Sequence, residues 1–319
     1  MLFLQTLLAI SISFCSSRPE RGPGASLYVP SEPIKFQNKS NFTINGDSIS
    51  GGTSPCILLI SCTNVHITHC KLVNSTNIAI RLERCSGILI DSNYIVNVKH
   101  GVFAIMCPQG GIRVLHNQMK NMQGPFPQAG FIQYDRVSGG NNQICYNKLE
   151  NVRGESNSED AINLYKSDGL PGDPILVTHN WIRGGGPGIS GAGITAGDGG
   201  GSYQKIDSNI VVNSGSGGIQ VAGGTNIQIT NNIIYSKSLP WSGFGLASSN
   251  YSGQPSDSNT VAYNKVNWIA GRLKGIRRDT VYKPGSGANI NAMPAGWITN
   301  TVNAPIDESI LPDSLLNPK

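Results

Sequence analysis

Apolar and polar residues alternate over short stretches along most of the chain, whereas the three- and four-residue apolar spacing of a helix is rare. Gly-rich turns separate these stretches, and this pattern predicts an all-β protein built from many short strands. The stretches also repeat. Eight of them, between residues 64 and 268, share one frame in which an alternating apolar pair precedes Asn and another apolar residue.

Asparagine occupies one column of this frame in seven copies, and Cys70 takes its place in the first copy. The mean period is about 28 residues, which is typical of solenoid repeats. The asparagines of this column are Asn93, Asn117, Asn147, Asn180, Asn209, Asn232 and Asn264.

A second column of short strands, most of them preceded by Gly, lies between the Asn motifs. None of these strands can bury an apolar face alone, but stacked repeats bury a continuous apolar column. The sequence therefore predicts a right-handed parallel β-helix of about eight to nine coils. Equivalent residues would stack about 4.8 Å apart, with the asparagines forming a hydrogen-bonded ladder.

Residues from about 41 to 268 resemble the pectate-lyase-like superfamily of right-handed parallel β-helix proteins, which includes polysaccharide lyases, epimerases and hydrolases. The resemblance implies that the Asn ladder marks the turn between the second and third strands of each coil. It also implies that the Gly-led strands form the first-strand sheet, where the substrate groove of such proteins is commonly found.

The extent of the repeat predicts four segments. We expect a signal peptide or lipoprotein signal at 1–17, an N-terminal cap with the first coil at 18–56, the β-helix at 57–268, and a C-terminal strap or cap at 269–319. The two end segments would cover the open edges of the solenoid, which could otherwise pair with other molecules.

Charge narrows the classes of partner. The net charge is +5 and charged residues make up 13% of the chain, without a Lys/Arg run. This distribution disfavours nucleic-acid binding and is compatible with an anionic polysaccharide.

The first 17 residues form an uncharged apolar run of signal-peptide length that is too short to span a bilayer. Cys15, followed by two serines, is similar to the processing site of bacterial lipoproteins, although Phe14 replaces the usual small residue before it. We therefore expect an exported protein: secreted, periplasmic, or held at the cell surface by a lipid on Cys15.

Candidate chemistry concentrates on the central coils. The three coils from Asn117 to Asn209 are long, so they must extrude loops, which would form the walls of a groove. Alternation predicts that one strip of side chains faces outward from the first-strand sheet: Gln133, Asp135, Asn163, Tyr165, Thr195 and Gly197, with Arg136, Lys166 and Asp198 at the strand ends.

One chemistry that fits this strip is β-elimination on a uronic-acid polysaccharide, which needs a base and a neutralised sugar carboxylate. Lys166 and Tyr165 are candidate bases, and Arg136 and Arg183 are candidate neutralisers. Glu159 and Asp160 are candidate Ca²⁺ ligands.

The segment from Glu159 to Lys166 and Ser167 resembles the Glu…Lys-Ser strand of polysaccharide lyase family six, the chondroitinase B and alginate lyase group. The resemblance implies calcium binding by Glu159 and a base at Lys166. The chain departs from that family in having Ala161 where a second Glu is expected and a Gly-rich next coil in place of an Arg-His pair.

Two other functions fit the same strip. A glycoside hydrolase needs two carboxyl groups, which Asp135, Asp160 and Asp198 could supply. A non-catalytic carbohydrate-binding or cell-surface rod needs only contact residues. The candidate substrate-binding residues are Gln133, Asn163, Asp198, Thr195, and the aromatic Tyr203 and Trp181.

Overall fold

The computed structural model describes residues 28–125 and 129–317, and the predicted signal segment with Cys15 lies outside these residues. The described chain is a right-handed parallel β-helix, as predicted. Its strands pair in parallel over three faces, and the one pair of named strands that runs antiparallel joins Lys265–Ala270 to Ile276–Arg277. No helix in the described part is long and apolar enough to span a membrane.

Each complete coil contributes one strand to each face, because Gly, Asn and other residues with positive φ turn the chain at the corners. We name the faces first, second and third sheet in the order of the strands after the opening strand. Three strands bend around a corner and serve two sheets each: β7 (Lys71–Glu83), β9 (Tyr94–Ile105) and β18 (Ala192–Asp207).

The first sheet contains the C-terminal halves of β7 and β9 and the N-terminal half of β18. Its other strands are β2 (Ile34–Gln37), β5 (Ile57–Ile60), β12 (Ile132–Asp135), β15 (Ile162–Asp168), β20 (Gly217–Val221), β23 (Phe244–Ser248) and β27 (Thr280–Tyr282). The first sheet thus has ten strands in the described chain, one or two more than the predicted number of coils.

The second sheet contains the C-terminal half of β18. Its other strands are β3 (Ser40–Asn45), β6 (Thr63–Thr68), β8 (Ser86–Asp91), β10 (Ile112–Leu115), β13 (Gln143–Cys145), β16 (Ile175–Thr178), β21 (Thr225–Thr230) and β24 (Thr260–Ala262).

The third sheet contains the N-terminal halves of β7 and β9. Its other strands are β1 (Val29–Ser31), β4 (Asp47–Gly52), β11 (Gln118–Met122), β14 (Lys148–Glu150), β17 (Trp181–Arg183), β19 (Ile210–Val212), β22 (Ile233–Ser236) and β25 (Lys265–Ala270). Strand β26 (Ile276–Arg277) and four 3-10 turns follow it: Gly271–Leu273, Gly287–Asn289, Trp297–Thr299 and Glu308–Ile310.

Inward side chains of the three sheets form one continuous core of Ile, Leu and Val, with rows such as Ile132, Ile162, Ile194 and Ile219 stacked along the helix axis. Stacking of like side chains excludes water from the whole interior, which is the main stabilising contribution in a protein whose coils cannot fold alone.

The predicted Asn ladder lies between the second and third sheets, as the superfamily resemblance implied. Each side chain donates from Nδ2 to Oδ1 of the next Asn over 2.8–3.1 Å. In the first copy, the Cys70 backbone N–H donates to Asn93 Oδ1, and the Cys70 side chain is buried. The ladder continues one step beyond the sequence repeat, to Asn300.

The segment after β25 forms a last partial coil and then turns back. Bridges join Asn291 to Ser256, Ala295 to Thr260 and Thr301 to Lys265 across the C-terminal end of the helix. Residues 306–317, which we call the strap, then run over the third sheet, where Leu311, Leu315 and Leu316 pack with Val212.

Candidate functional site

An open groove of about 270 Å³ lies on the first sheet, beside the long central coils. Strands β9, β12, β15 and β18 form its floor, and the residues just before β15 form part of its wall. We call it the acidic groove because four of its lining residues carry carboxyl groups: Asp135, Glu159, Asp160 and Asp198.

Strand register brings most of the predicted strip together here. Gln133, Asn163 and Thr195 form one row across three coils, and Gln220 extends it. Asp135 and Tyr165 begin the next row. All of these except Gln220 had been singled out in the sequence because they alternate with core residues.

The expected outward position of Gly197 is wrong, because β18 contains a bulge. Between Thr195 and Asp198 the strand has one extra residue, so Asp198 rather than Gly197 lies opposite Tyr165. Gly197 has φ +63°, and a Cβ there would lie 2.1 Å from the Gly223 carbonyl oxygen. The buried Gln204 side chain holds the bulge by accepting from the Gly197 N–H (2.9 Å) and donating to the Ser167 carbonyl (2.7 Å).

Asp160 is fixed by three donors. Its Oδ1 accepts from the Ala192 backbone N–H (2.7 Å) and the Thr195 hydroxyl (2.7 Å), and its Oδ2 accepts from Asn163 Nδ2 (2.8 Å). Burial raises the pKa of Asp160, and the three donors oppose that rise because they stabilise the carboxylate. Gln220 in turn donates to the Thr195 hydroxyl oxygen (3.0 Å).

Asn163 joins two carboxyl groups. Its amide nitrogen donates to Asp160 Oδ2 (2.8 Å) and to Asp198 Oδ2 (2.9 Å), so both N–H bonds are used. Its Oδ1 is buried and has no hydrogen-bond partner among residues 28–125 and 129–317. The side chain therefore holds the two carboxyl groups in fixed positions and leaves one amide acceptor in the groove wall.

Glu159 has the most perturbed carboxyl of the groove. Burial, and then the negative charges of Asp160 and Asp198, raise its pKa from 4.5 to about 7. A carboxyl with this pKa keeps its proton to near neutral pH and can donate it to a bound substrate.

The two cations next to the groove, Arg136 and Lys166, differ in their contacts. Arg136 makes a two-point ion pair with Asp135, with Nε at 2.8 Å from Oδ1 and Nη2 at 3.3 Å from Oδ2. Lys166 is exposed at a corner of β15, and its Nζ lies 5.2 Å from the centre of the Tyr165 ring. Asp135 raises the pKa of Arg136, so this guanidinium stays charged and bound to its own carboxylate.

Three predicted site residues lie elsewhere. Arg183 and Trp181 belong to β17 in the third sheet, because the ladder turn at Asn180 directs the chain away from the groove. Arg183 donates to Glu150 Oε1 (3.2 Å) and to backbone carbonyls of the strap, and Trp181 packs against the leucine cluster of the strap. Tyr203 lies at the corner between the first and second sheets, with φ +51°, and does not line the groove.

Two features of the carboxyl groups bear on the predicted Ca²⁺ ion. Calcium takes six to eight oxygen ligands, but Asp160 already accepts three hydrogen bonds and Glu159 keeps its proton to near neutral pH. In the described chain, no group of three or more His, Cys, Asp or Glu residues is arranged to hold a metal ion. Calcium binding by Glu159 and Asp160 stays a prediction.

His100 and Phe103 also line the groove, although sequence reasoning assigned them no role there. His100 is buried, and its Nδ1 accepts from the Gly130 N–H (2.9 Å), so the neutral ring carries its proton on Nε2. No motif marks this residue. It is brought to the site by parallel stacking, which places His100 beside Gly130 of the next coil.

One comparison, with a family model, agrees with the strand topology over part of the chain. A family model described as a right-handed β-helix region matches residues 28–144. Among solved structures, the chain is similar to a mutant of DFA-IIIase from Arthrobacter chlorophenolicus A6, with 13% identity and a TM-score of 0.46 over 91% of this chain and 72% of that one. No curated protein matches the sequence. The strand topology identifies the fold as a right-handed parallel β-helix, and the family match covers its N-terminal part. The resemblance to polysaccharide lyase family six gains no support from these comparisons.

Proposed function

We propose that this protein is a carbohydrate-active enzyme that cleaves a glycosidic bond in the acidic groove, with Glu159 as the proton donor. The observation that carries the proposal is the pKa of Glu159, raised to about 7 beside two further carboxyl groups. Paired carboxyl groups in different protonation states are what glycosidic cleavage requires.

The roles follow from the contacts of each group. Glu159 would protonate the glycosidic oxygen as the bond to the anomeric carbon breaks. Asp198 would act on the anomeric carbon, directly or through a water molecule, because one of its oxygens is held by Asn163. Asp160 is held by three donors and would support the other two, while Asp135 is bound to Arg136.

The charge of the groove favours an uncharged glycan. Four carboxyl groups line it, and Arg136, a cation beside them, already has a partner in Asp135. A uronic-acid polymer would bring further negative charge to this surface, and like charges repel most strongly where water is partly excluded. The anionic substrate expected from the sequence is thus less well supported than a neutral one.

Activity assays on purified protein test the proposal. We would measure reducing ends released from a panel of neutral glycans, including fructans, glucans and xylans, and from uronic-acid polymers. The expected result is release from a neutral glycan and a loss of roughly 10²–10⁴-fold in Glu159→Gln, the usual contribution of a general acid. Glu32→Gln, which changes an exposed glutamate far from the groove, is the matched control. Full activity in Glu159→Gln would refute the proposal.

Elimination on a uronic-acid polysaccharide remains a second candidate, supported by one observation. Lys166 is exposed, adjoins the groove through Tyr165, and makes no ion pair among the described residues. Ultraviolet absorbance of unsaturated uronate separates the two candidates: elimination produces it and hydrolysis does not. Absorbance that disappears in Lys166→Ala would favour the lyase. If neither unsaturated products nor new reducing ends form, the non-catalytic carbohydrate-binding rod becomes the better description.

Export also remains part of the proposal, because the apolar run at 1–17 lies outside the described residues. Membrane fractionation of the full chain and of Cys15→Ala would distinguish a lipid-anchored form from a freely secreted one.

A further inference from the structure

A second groove of about 290 Å³ lies on the second sheet, near the N-terminal end of the β-helix. Its floor is a row of side chains from four successive coils: Thr43 on β3, His66 on β6, Leu89 on β8 and Arg113 on β10. We call it the Arg113 groove. It shares no lining residue with the acidic groove.

Arg113 is the group that most needs a partner here. Its Nε is buried, yet no described residue accepts a hydrogen bond from it. A guanidinium N–H removed from water costs free energy unless an acceptor, above all an anionic one, replaces the water.

Two glycines of adjacent coils occupy the corner beside Arg113. Gly87 and Gly111 both have positive φ, and a Cβ on Gly111 would lie 2.9 Å from the Gly87 nitrogen. The close approach of the two backbones therefore requires glycine at position 111. Farther along the corner, the Asn64 side-chain nitrogen donates to Asn41 Oδ1 (2.7 Å). This bond uses an N–H group of Asn64, so the Oδ1 atom of Asn64 is available as an acceptor.

The electrostatics of this groove are opposite to those of the acidic groove. None of the described residues that line it carries a carboxyl group. The neighbouring carboxylate, Asp91, is buried and is paired with His66 Nε2 at 2.6 Å. Arg113 is therefore the only permanently charged residue that lines the groove.

We propose that the Arg113 groove binds the carboxylate of an acidic saccharide. Arg113 would bind the carboxylate through its planar N–H groups, which suit this anion. The Asn64 amide would accept from sugar hydroxyls, and Phe42 with Leu89 would contact the apolar face of a sugar ring. The groove would anchor an acidic chain at a distance from the acidic groove and independently of any reaction there.

Calorimetric titration of the full chain tests the proposal. The ligands are trigalacturonate, maltotriose as a neutral trisaccharide, and sodium sulfate. We expect trigalacturonate to bind, maltotriose to give no measurable heat, and Arg113→Gln to weaken trigalacturonate binding at least tenfold. Added salt should weaken binding less than it would for a fully exposed ion pair, because the guanidinium is partly buried.

Matched variants keep the result interpretable. Arg84→Gln makes the same chemical change at an arginine on another corner, where Glu83 is its neighbour, and should bind like the wild type. Glu159→Gln should also bind trigalacturonate like the wild type. The proposal for the Arg113 groove can therefore be refuted independently of the proposed function of the acidic groove. Arg113→Lys, which keeps the charge without the planar fork, should lose part of the affinity and controls for misfolding.

Three results would overturn the proposal. They are equal affinity in Arg113→Gln and wild type, equal losses in Arg113→Gln and Arg84→Gln, and sulfate binding as tightly as trigalacturonate. The last result would indicate a site for a small oxyanion rather than for a sugar.

Discussion

Two adjacent acidic residues show how single contacts set proton affinity in this protein. Glu159 and Asp160 share one groove, and burial raises the pKa of both. Three hydrogen bonds to Asp160 oppose the rise of its pKa. The Glu159 carboxyl receives no hydrogen bond within the described chain, and the pKa of Glu159 reaches about 7. The same side-chain chemistry therefore yields one carboxyl group whose charged form is hydrogen-bonded and one candidate acid.

The raised pKa of Glu159 has a consequence for stability. The folded state favours the protonated form, so the contribution of Glu159 is most favourable below its ordinary pKa of 4.5 and is lost as pH rises through about 7. After allowance for partial solvent screening, we expect the wild type to lose about 1–2 kcal/mol relative to Glu159→Gln between pH 4.5 and pH 8.

Urea unfolding at several pH values measures this difference. Glu32→Gln, at an exposed position, should follow the wild type throughout. Parallel curves for wild type and Glu159→Gln would mean that this carboxyl titrates normally.

The turns between the second and third sheets depend on the Asn ladder more than on their own local sequence. Asn147 shows the pattern: its Oδ1 accepts from the backbone and side chain of Asn117, and its Nδ2 donates to Val114 O and Asn180 Oδ1. One side chain thus satisfies backbone groups of neighbouring coils that water does not reach.

Removing a ladder residue should therefore cost more inside the helix than at its end. We expect Asn147→Ala to lower the free energy of unfolding by about 2–4 kcal/mol, because it leaves buried donors and acceptors unpaired. Asn300→Ala should cost about 1 kcal/mol, because Asn300 is 9% exposed and water can replace part of its bonding. Denaturant midpoints of the two variants measure this difference. An equal loss of unfolding free energy in both would show that burial of the ladder residue does not determine the loss.

The molecule as a whole is closed by contacts between distant parts of the chain. The strap lies on the third sheet, where Arg183 donates to the Asp313 carbonyl (3.0 Å) and the Asn317 N–H donates to Gln118 Oε1 (2.8 Å), across 199 residues. Its leucines cover Val212 and neighbouring partly buried side chains that would otherwise face water.

Weakening the strap should destabilise the protein. Leu315 is 1% exposed, and Leu315→Ala should cost about 2–4 kcal/mol, the usual cost of a buried Leu→Ala change. Leu170→Ala, at a leucine that is 46% exposed, should cost much less. Thermal unfolding, followed with a dye that binds exposed apolar surface, measures the loss of stability in both variants. Equal effects of the two changes would show that the strap does not stabilise the β-helix.

Much of the candidate site was predictable because alternation within a strand is local. Gln133, Asp135, Asn163 and Tyr165 line the groove, and all were predicted to face outward. The acidic residues Glu159, Asp160 and Asp198 were also singled out from the sequence, although with other roles for the first two. Arg183 and Trp181 directly follow the ladder residue Asn180, and the strand after a ladder turn joins the third sheet. The ladder frame alone was therefore enough to place these two residues away from the first sheet, and their assignment to the site was wrong.

The sequence alone carried the coil period, the Asn column and the inward and outward faces, because each depends on residues a few positions apart. Only the folded chain shows the bulge at Gly197, the ladder step to Asn300, the ion pair that occupies Arg136, and the open groove beside Arg113. Except for the ion pair, which joins two adjacent residues at the corner after their strand, these features arise between residues of different coils or where local periodicity breaks. The proton affinity of Glu159 belongs with them, because it depends on burial by neighbouring coils and on the charge of Asp198, brought close by parallel stacking.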